Sequence, residues 1–255
     1  MGDPLVTVQR KGAIAIISLN RPARHNALVP ELLTELLEVF EHGDCQHAAA
    51  VMLRAEGRSF STGGDLLGFQ QHRDNIAAYA SSLVGQLNRV ILAIYTHPAP
   101  VVCAVNGQVT GGSLGLLLAS DRVIMRHGVT ITPYYAVVGF SPDGGWTALL
   151  PEIIGRQATM HWLTANASHN AETCLALGLA HEVVEDDCDR AAMAWAQKAA
   201  QMQSGSITRS RRLLNYESDS LRRRLEAERK TFVEQIQTRQ AHDGIDQFLR
   251  RQDHE

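Results

Sequence analysis

No sign of charge predominates in this chain of 255 residues: 24 Lys and Arg stand against 27 Asp and Glu, a net charge of -3. Without a basic excess there is no global field to recruit nucleic acid or an anionic membrane. Cysteine is scarce. Cys45, Cys103, Cys174 and Cys188 are widely separated, with no Cys-x-x-Cys pair and no histidine at ligand spacing. That excludes a zinc site and a disulfide framework and points to reduced thiols in the cytoplasm. No run of ~18 apolar residues exists, and Met1-Gly2-Asp3-Pro4 opens no charged segment followed by an apolar one, so neither a membrane span nor an export signal is expected. Fixed-period repeats, low-complexity tracts and long Pro/Gly/Ser linkers are missing too.

What is present is the balance of a soluble globular protein, 45% hydrophobic and 20% charged. Val6 and Val8, then Ala13 to Leu19, are β-rich runs around Lys11-Gly12 and predict a hairpin. Leu28, Leu32, Leu33, Leu36, Leu37 and Phe40 recur at helical spacing, with Pro30 in the first turn. Two strand-then-loop units follow: Ala48 to Arg54 running into the small-residue stretch Glu56 to Asp65, and Val101 to Val105 running into Asn106 to Gly115. A helix over about 75–95 lies between them, and Leu114 to Ala119 reads as a buried helix. This order predicts a mostly parallel α/β sheet with ligands at the carboxyl ends of its strands. After Val129 to Thr132 and the turn-rich Gly139 to Gly145, helical stretches dominate: 157–164, 171–177, 190–201, 207–214 and 221–237.

Two loops have the composition of a ligand site. Ser61-Thr62-Gly63-Gly64-Asp65 carries small residues before a helix start, and Gly111-Gly112 opens an apolar helix whose first N–H groups face outward along its dipole. Neither loop is a dinucleotide fingerprint, and the P-loop lysine is missing. Two glycine-lined loops, each supplying one peptide N–H, suit an enolate or tetrahedral oxygen.

The order of these segments resembles the crotonase superfamily, also called the enoyl-CoA hydratase/isomerase family, over essentially the full length. The resemblance rests on Asn20-Arg21-Pro22 with Asn26-Ala27-Leu28, on Gly57 to Leu66, and on Ala104-Val105-Asn106-Gly107 with Gly111-Gly112. Ala119-Ser120-Asp121, Gly139 to Pro151, Ala171 to Leu179 and Gly244 to Phe248 also fit. It implies an α/β crotonase fold: a repeated ββα spiral core over residues 1–200 and a helical C-terminal region over 201–255 that packs in a trimer or a dimer of trimers. It implies a CoA thioester substrate whose acyl oxygen is held by the Gly64 and Gly112 N–H groups, with no metal or redox cofactor. His25, Asn26, Ala27 and Leu28 would lie along the CoA moiety with the backbone of Ser61, Thr62 and Gly63, and Asp65, Gly111 and Tyr135 complete the expected substrate-binding set.

Hydratases of this family use two glutamates, because adding water needs a base for the water and an acid for the α-carbon. Gly115 and Tyr135 stand at those positions here. Asp143 matches a position at which some members carry a catalytic aspartate. In isomerase-like members that single carboxylate moves a proton from C2 to C4 of a 3-enoyl thioester. In the 4-chlorobenzoyl-CoA dehalogenase type it attacks the aromatic ring, and a histidine activates water at the position where this chain has Asn88. The sequence therefore predicts an enoyl-CoA isomerase with Asp143 as acid/base, the alternatives being an aryl- or acyl-CoA hydrolase, a hydratase, and a non-catalytic CoA- or RNA-binding homologue. Arg222-Arg223-Arg224 is read as a solvated helix face, since Glu226 and Glu228 follow it, and no nucleic-acid partner is expected.

Overall fold

In the computed structural model, which describes residues 3–215 and 217–252, the β-rich start forms the expected hairpin. Met1 and Gly2 of the N-terminal reading, and Tyr216 and residues 253–255 of the region 201–255, lie outside the described residues. Strands β1 (Val6–Lys11) and β2 (Ile14–Leu19) pair antiparallel, with Lys11 opposite Ile14. Helix α1 (Pro30–His42) buries Leu32, Leu33, Leu36, Leu37 and Phe40, the stripe its 3.6-residue spacing dictates. Proline at its first position costs nothing, because that N–H has no helical partner.

A ββα unit then repeats. The first comprises β3 (Ala50–Ala55), β4 (Ser59–Ser61), the short α2 (Leu66–Gln71) and the long α3 (Ile76–Tyr95). The second comprises β5 (Val101–Val105), β6 (Gln108–Thr110) and α4 (Leu114–Leu118), and the third β7 (Arg122–Arg126), β8 (Thr130–Thr132) and α5 (Tyr135–Val138). The first strand of each unit enters a six-stranded sheet of order β1-β2-β3-β5-β7-β10, parallel from β2 onward. The second strand enters a smaller sheet of order β4-β6-β8-β9, parallel through β8. Strands β4 and β6 are where sequence reasoning saw loop: a polar residue on each side of a single apolar centre is too short to show a period of two.

The remaining chain is helical apart from two short strands: α6 (Leu150–Ile154), α7 (Arg156–Ala165), β9 (His169–Asn170), α8 (Ala171–Ala176), β10 (Glu182–Val184), α9 (Cys188–Ala200), α10 (Ser204–Leu214), α11 (Ser218–Ile236) and α12 (Arg239–Gln252). Helix α9 covers one face of the large sheet, setting Cys188, Ala192 and Ala196 against Met52, Val102, Ala104 and Ile124. On the other face α1 and α3 enclose the main core, and α11 joins it through Leu221, Leu225, Phe232 and Ile236. The C-terminal helices thus share one core with the spiral. Helix α12, whose Gly244-to-Phe248 segment entered the sequence reading only as a motif, packs on α2 and α5.

Candidate active site

Three successive strands of the small sheet deliver the three residues of interest. Gly64 follows β4, Gly112 follows β6, and Asp143 follows β8 and the single turn of α5. All three lie beyond the carboxyl ends of parallel strands, where such sheets leave room for ligands.

The two glycine loops touch. A Cβ placed on Gly63 would lie 2.7 Å from the Thr110 carbonyl oxygen and 3.5 Å from Gly111 Cα. The Gly63 carbonyl accepts from Leu28 N at 2.7 Å and Asp65 N donates to the Leu28 carbonyl at 3.1 Å. Since both flanking peptide groups bond toward Leu28, the N–H of Gly64 points to the opposite side of the strand. Gly112 sits second in a 3-10 turn over Gly111–Ser113 that leads into α4, among the first N–H groups, which have no partner inside a helical turn. The Ser113 hydroxyl shares its one proton between the carbonyls of Thr110 and Ser61, at 2.7 and 3.0 Å, and ties the loops together, while Trp146 Nε1 donates to the Gly111 carbonyl at 2.8 Å.

Asp143 is only 8% exposed and stands against this turn: a Cβ on Gly112 would come within 2.8 and 2.9 Å of its two carboxylate oxygens. The backbone enforces the juxtaposition. A Cβ on Gly144, whose φ is +63°, would lie 2.2 Å from the Gly112 carbonyl oxygen, so only glycine permits this approach. Leu87 of α3 borders the same space, and Leu83 lies with Phe69 beside Gly64. This apolar setting raises the Asp143 pKa from its ordinary value of 3.8 to about 7, chiefly through burial. The Tyr135 hydroxyl, donating at 2.6 Å to Asp143 Oδ1, pulls it back down, and the negative Glu228 pushes it up. Tyr135 is itself buried, and its own pKa is driven well above 10 by desolvation and by Asp143.

The other sequence-predicted residues frame the loops. Asn26 is fully buried and donates to the carbonyls of Glu56 and Ser59 while accepting from Arg21 N. The Ser61 hydroxyl bonds the Asn26 carbonyl, and Thr62 N bonds the His25 carbonyl. His25, at φ +51°, faces Ser59 Oγ at 3.0 Å through Nδ1 and Arg58 at 3.1 Å through Nε2; because the guanidinium only donates, Nε2 accepts and Nδ1 carries the proton. Ala27 and Leu28 are buried. The Asp65 carboxylate caps α2 at Leu67 N and pairs with Arg21 at 2.9 Å and Arg24 at 3.2 Å. Tyr135, expected along the substrate, gives its hydroxyl to Asp143 instead of standing free.

Sequence reasoning missed Trp146, Leu83, Leu87 and Glu228. The last was detectable. Leu221, Leu225, Phe232 and Ile236 form the apolar stripe of α11, and Glu228 stands within it. Its carboxylate, 4% exposed, accepts from Gly145 N, Thr147 N, Thr147 Oγ1 and Ala148 N at 2.7–2.9 Å. Among the described residues no group of three or more His, Cys, Asp or Glu is placed to hold a metal ion.

The family model of enoyl-CoA hydratase/isomerase matches residues 9–255. An enoyl-CoA hydratase from Bacillus halodurans superposes with a TM-score of 0.89 at 25% identity, over 95% of this chain and 99% of that one. In sequence, the chain is 29% identical over 193 residues to a 4-chlorobenzoyl coenzyme A dehalogenase of Arthrobacter, covering 72% of this chain and 67% of that protein. It is 30% identical over 178 residues to the 1,2-epoxyphenylacetyl-CoA isomerase of Escherichia coli, covering 68% and 67%. The matched stretches span about two thirds of those relatives. The chain therefore belongs to the enoyl-CoA hydratase/isomerase family, the crotonase superfamily, whose fold it has. It is an enzyme of hydratase/isomerase type, in a family that acts on CoA thioesters without a metal cofactor.

Proposed function

We propose that the enzyme is an acyl-CoA double-bond isomerase of the Δ3,Δ2-enoyl-CoA type. The observation that carries this reading is Asp143, a buried carboxylate with a pKa near neutrality, standing against the Gly112 turn. The ionised form takes a proton from C2 of a 3-enoyl thioester. The resulting dienolate oxygen accepts from the Gly64 and Gly112 N–H groups, and Asp143 returns the same proton to C4. A pKa close to the working pH serves both transfers, since the group must be a base in one and an acid in the next. Tyr135 keeps the carboxylate oriented between them.

Hydration is disfavoured by the surroundings of the two positions where that reaction needs glutamates. At Gly115 a Cβ would lie 2.4 Å from Ile91 Cδ1 and 2.5 Å from the Gly144 carbonyl, so no side chain fits there. At Tyr135 the hydroxyl is engaged by Asp143. The dehalogenase relative supports a second reading, in which Asp143 attacks the chlorine-bearing ring carbon of an aryl-CoA, chloride leaves, and water hydrolyses the aryl ester so formed. That route needs a base for water, and Asn88 has no basic group; its amide nitrogen donates to the Leu225 carbonyl at 2.9 Å.

The test is incubation of wild type and Asp143→Asn in D2O with 3-hexenoyl-CoA, 2-hexenoyl-CoA and 4-chlorobenzoyl-CoA, followed by mass and NMR analysis. The expected outcome is conversion of the 3-enoyl thioester without gain of water, lost by several orders of magnitude in the variant while thioester binding persists. Chloride release would establish the second reading, and gain of water the hydratase. The reading includes assembly through the C-terminal helices, so light scattering is expected to give the mass of three or six chains of 28.0 kDa.

A further inference from the structure

Resting on the assignment of Asp143 as acid/base, we propose that Glu228 of α11 is the positioning residue that fixes the Asp143 turn against Gly112, by gathering the backbone of residues 145–148 onto a buried carboxylate.

No helix or strand defines the segment it holds, although Trp146 Nε1 bonds the Gly111 carbonyl and Leu149 N bonds the Gly145 carbonyl. Gly144 and Gly145 both have positive φ, at +63° and +86°, and the chain from Gly139 to Leu149 contains no helix or strand. Three of its N–H groups, those of Gly145, Thr147 and Ala148, converge on one carboxylate. Glu228 Oε1 accepts three of the four donors and Oε2 the fourth, so both oxygens serve as acceptors; burial raises the carboxyl pKa and these hydrogen bonds draw it back down. Arg224, one turn earlier on α11, adds a bond to the Ala148 carbonyl and pairs with Glu152. The turn is therefore suspended from α11, and α11 from α3 through the Asn88 bond to Leu225.

This arrangement does more than fill a buried position. A leucine at 228 would continue the apolar stripe but leave three N–H groups buried without partners. A carboxylate engaged on both oxygens is not a second base for the reaction. Its negative charge nevertheless acts on Asp143, two residues before the Gly145 N–H that it holds. The groups around Asp143 are the Tyr135 hydroxyl from α5, the Glu228 carboxylate from α11, the Gly112 peptide, and Leu87 from α3, which is uncharged. Glu228 is the one among them that carries charge, and it resists ionisation of Asp143. A structural brace without charge would hold the turn and leave the titration of Asp143 alone.

The experiment compares wild type, Glu228→Gln and Thr147→Val with 3-hexenoyl-CoA across pH, and reads the Asp143 carboxyl directly by 13C NMR titration against Asp143→Asn. Glu228→Gln keeps the three bonds to one oxygen, sets an amide N–H against Gly145 N–H, and removes the charge. The expected result is a kcat lower by about ten- to a hundredfold with KM little changed, as for a lost transition-state interaction, and an Asp143 titration moved to lower pH. Thr147→Val, which removes one donor and keeps the charge, is expected to lower kcat several-fold. Wild-type kcat with an unmoved Asp143 titration in Glu228→Gln overturns the proposal. If that variant does not fold, an unaltered kcat in Thr147→Val overturns it. Full isomerisation by Asp143→Asn, or none by wild type, overturns the acid/base reading instead, and the NMR titration still decides whether Glu228 acts on Asp143.

Discussion

Tyr135 and Asp143 act as one unit at the scale of single residues. The hydroxyl donates to the carboxylate at 2.6 Å and stabilises its ionised form, opposing the effect of burial. Because the base must be ionised to start the reaction, kcat/KM is expected to rise with pH through about 7 and to fall tenfold per unit well below it. Tyr135→Phe removes the donor and leaves the cavity apolar, so Asp143 should titrate at higher pH. A steady-state pH profile is expected to show the rising limb displaced upward and a lower rate at neutrality, with little change at high pH. At this scale the sequence was informative wherever a residue type had no apolar alternative. Gly64, Gly112 and Asp143 were singled out by motif position, whereas the hydrogen bond from Tyr135 joins two side chains eight residues apart across a turn that only tertiary packing defines.

Among the elements, long periodic segments were legible and short strands were not. Helices α1, α3 and α11 carry apolar residues every three or four positions over 13, 20 and 19 residues, enough to declare both type and buried face. Strands β4, β6 and β8 have three residues each and exist because neighbouring turns of the spiral pair with them. Their pairing brings the two glycine loops together at Gly63 and Gly111, so the half of the site that depended on them could be anticipated only by resemblance. Helix α12 is the other instance. Gly244 lets it approach α5 so closely that a Cβ there would fall 2.0 Å from the Val138 carbonyl oxygen. Gly244→Ala is expected to push α12 off α5 and destabilise the protein by about 1–3 kcal/mol, the usual cost of overpacking. Thermal unfolding would record it, and a melting temperature equal to wild type would contradict the packing described.

For the whole molecule, the buried carboxylate has a thermodynamic cost that can be measured. The folded-state pKa of Asp143 lies above its unfolded value, so the folded protein binds the proton more tightly between about pH 4 and pH 7. The contribution of this group to stability is therefore fully present below about 4 and is lost as pH rises through about 7. Asp143→Asn, which cannot ionise, is expected to melt at higher temperature than wild type above pH 7, with the difference shrinking toward pH 4. Equal pH dependence in the two proteins would show that Asp143 is not buried as described. Such a stabilised but inactive variant is what a site held under electrostatic strain predicts.

The close approach of Gly144 to Gly112 also bears on how such a site can change over generations. Backbone touches backbone there, and the position of residue 143 is set by peptide groups rather than by its own side chain. A substitution at 143 alters the charge and reach of that side chain while the Gly64 and Gly112 N–H groups, the proposed oxyanion donors, stay in place. Side chain and scaffold can therefore vary independently at this point: a codon change at 143 leaves the backbone contact standing, whereas any side chain at 144 meets the Gly112 carbonyl.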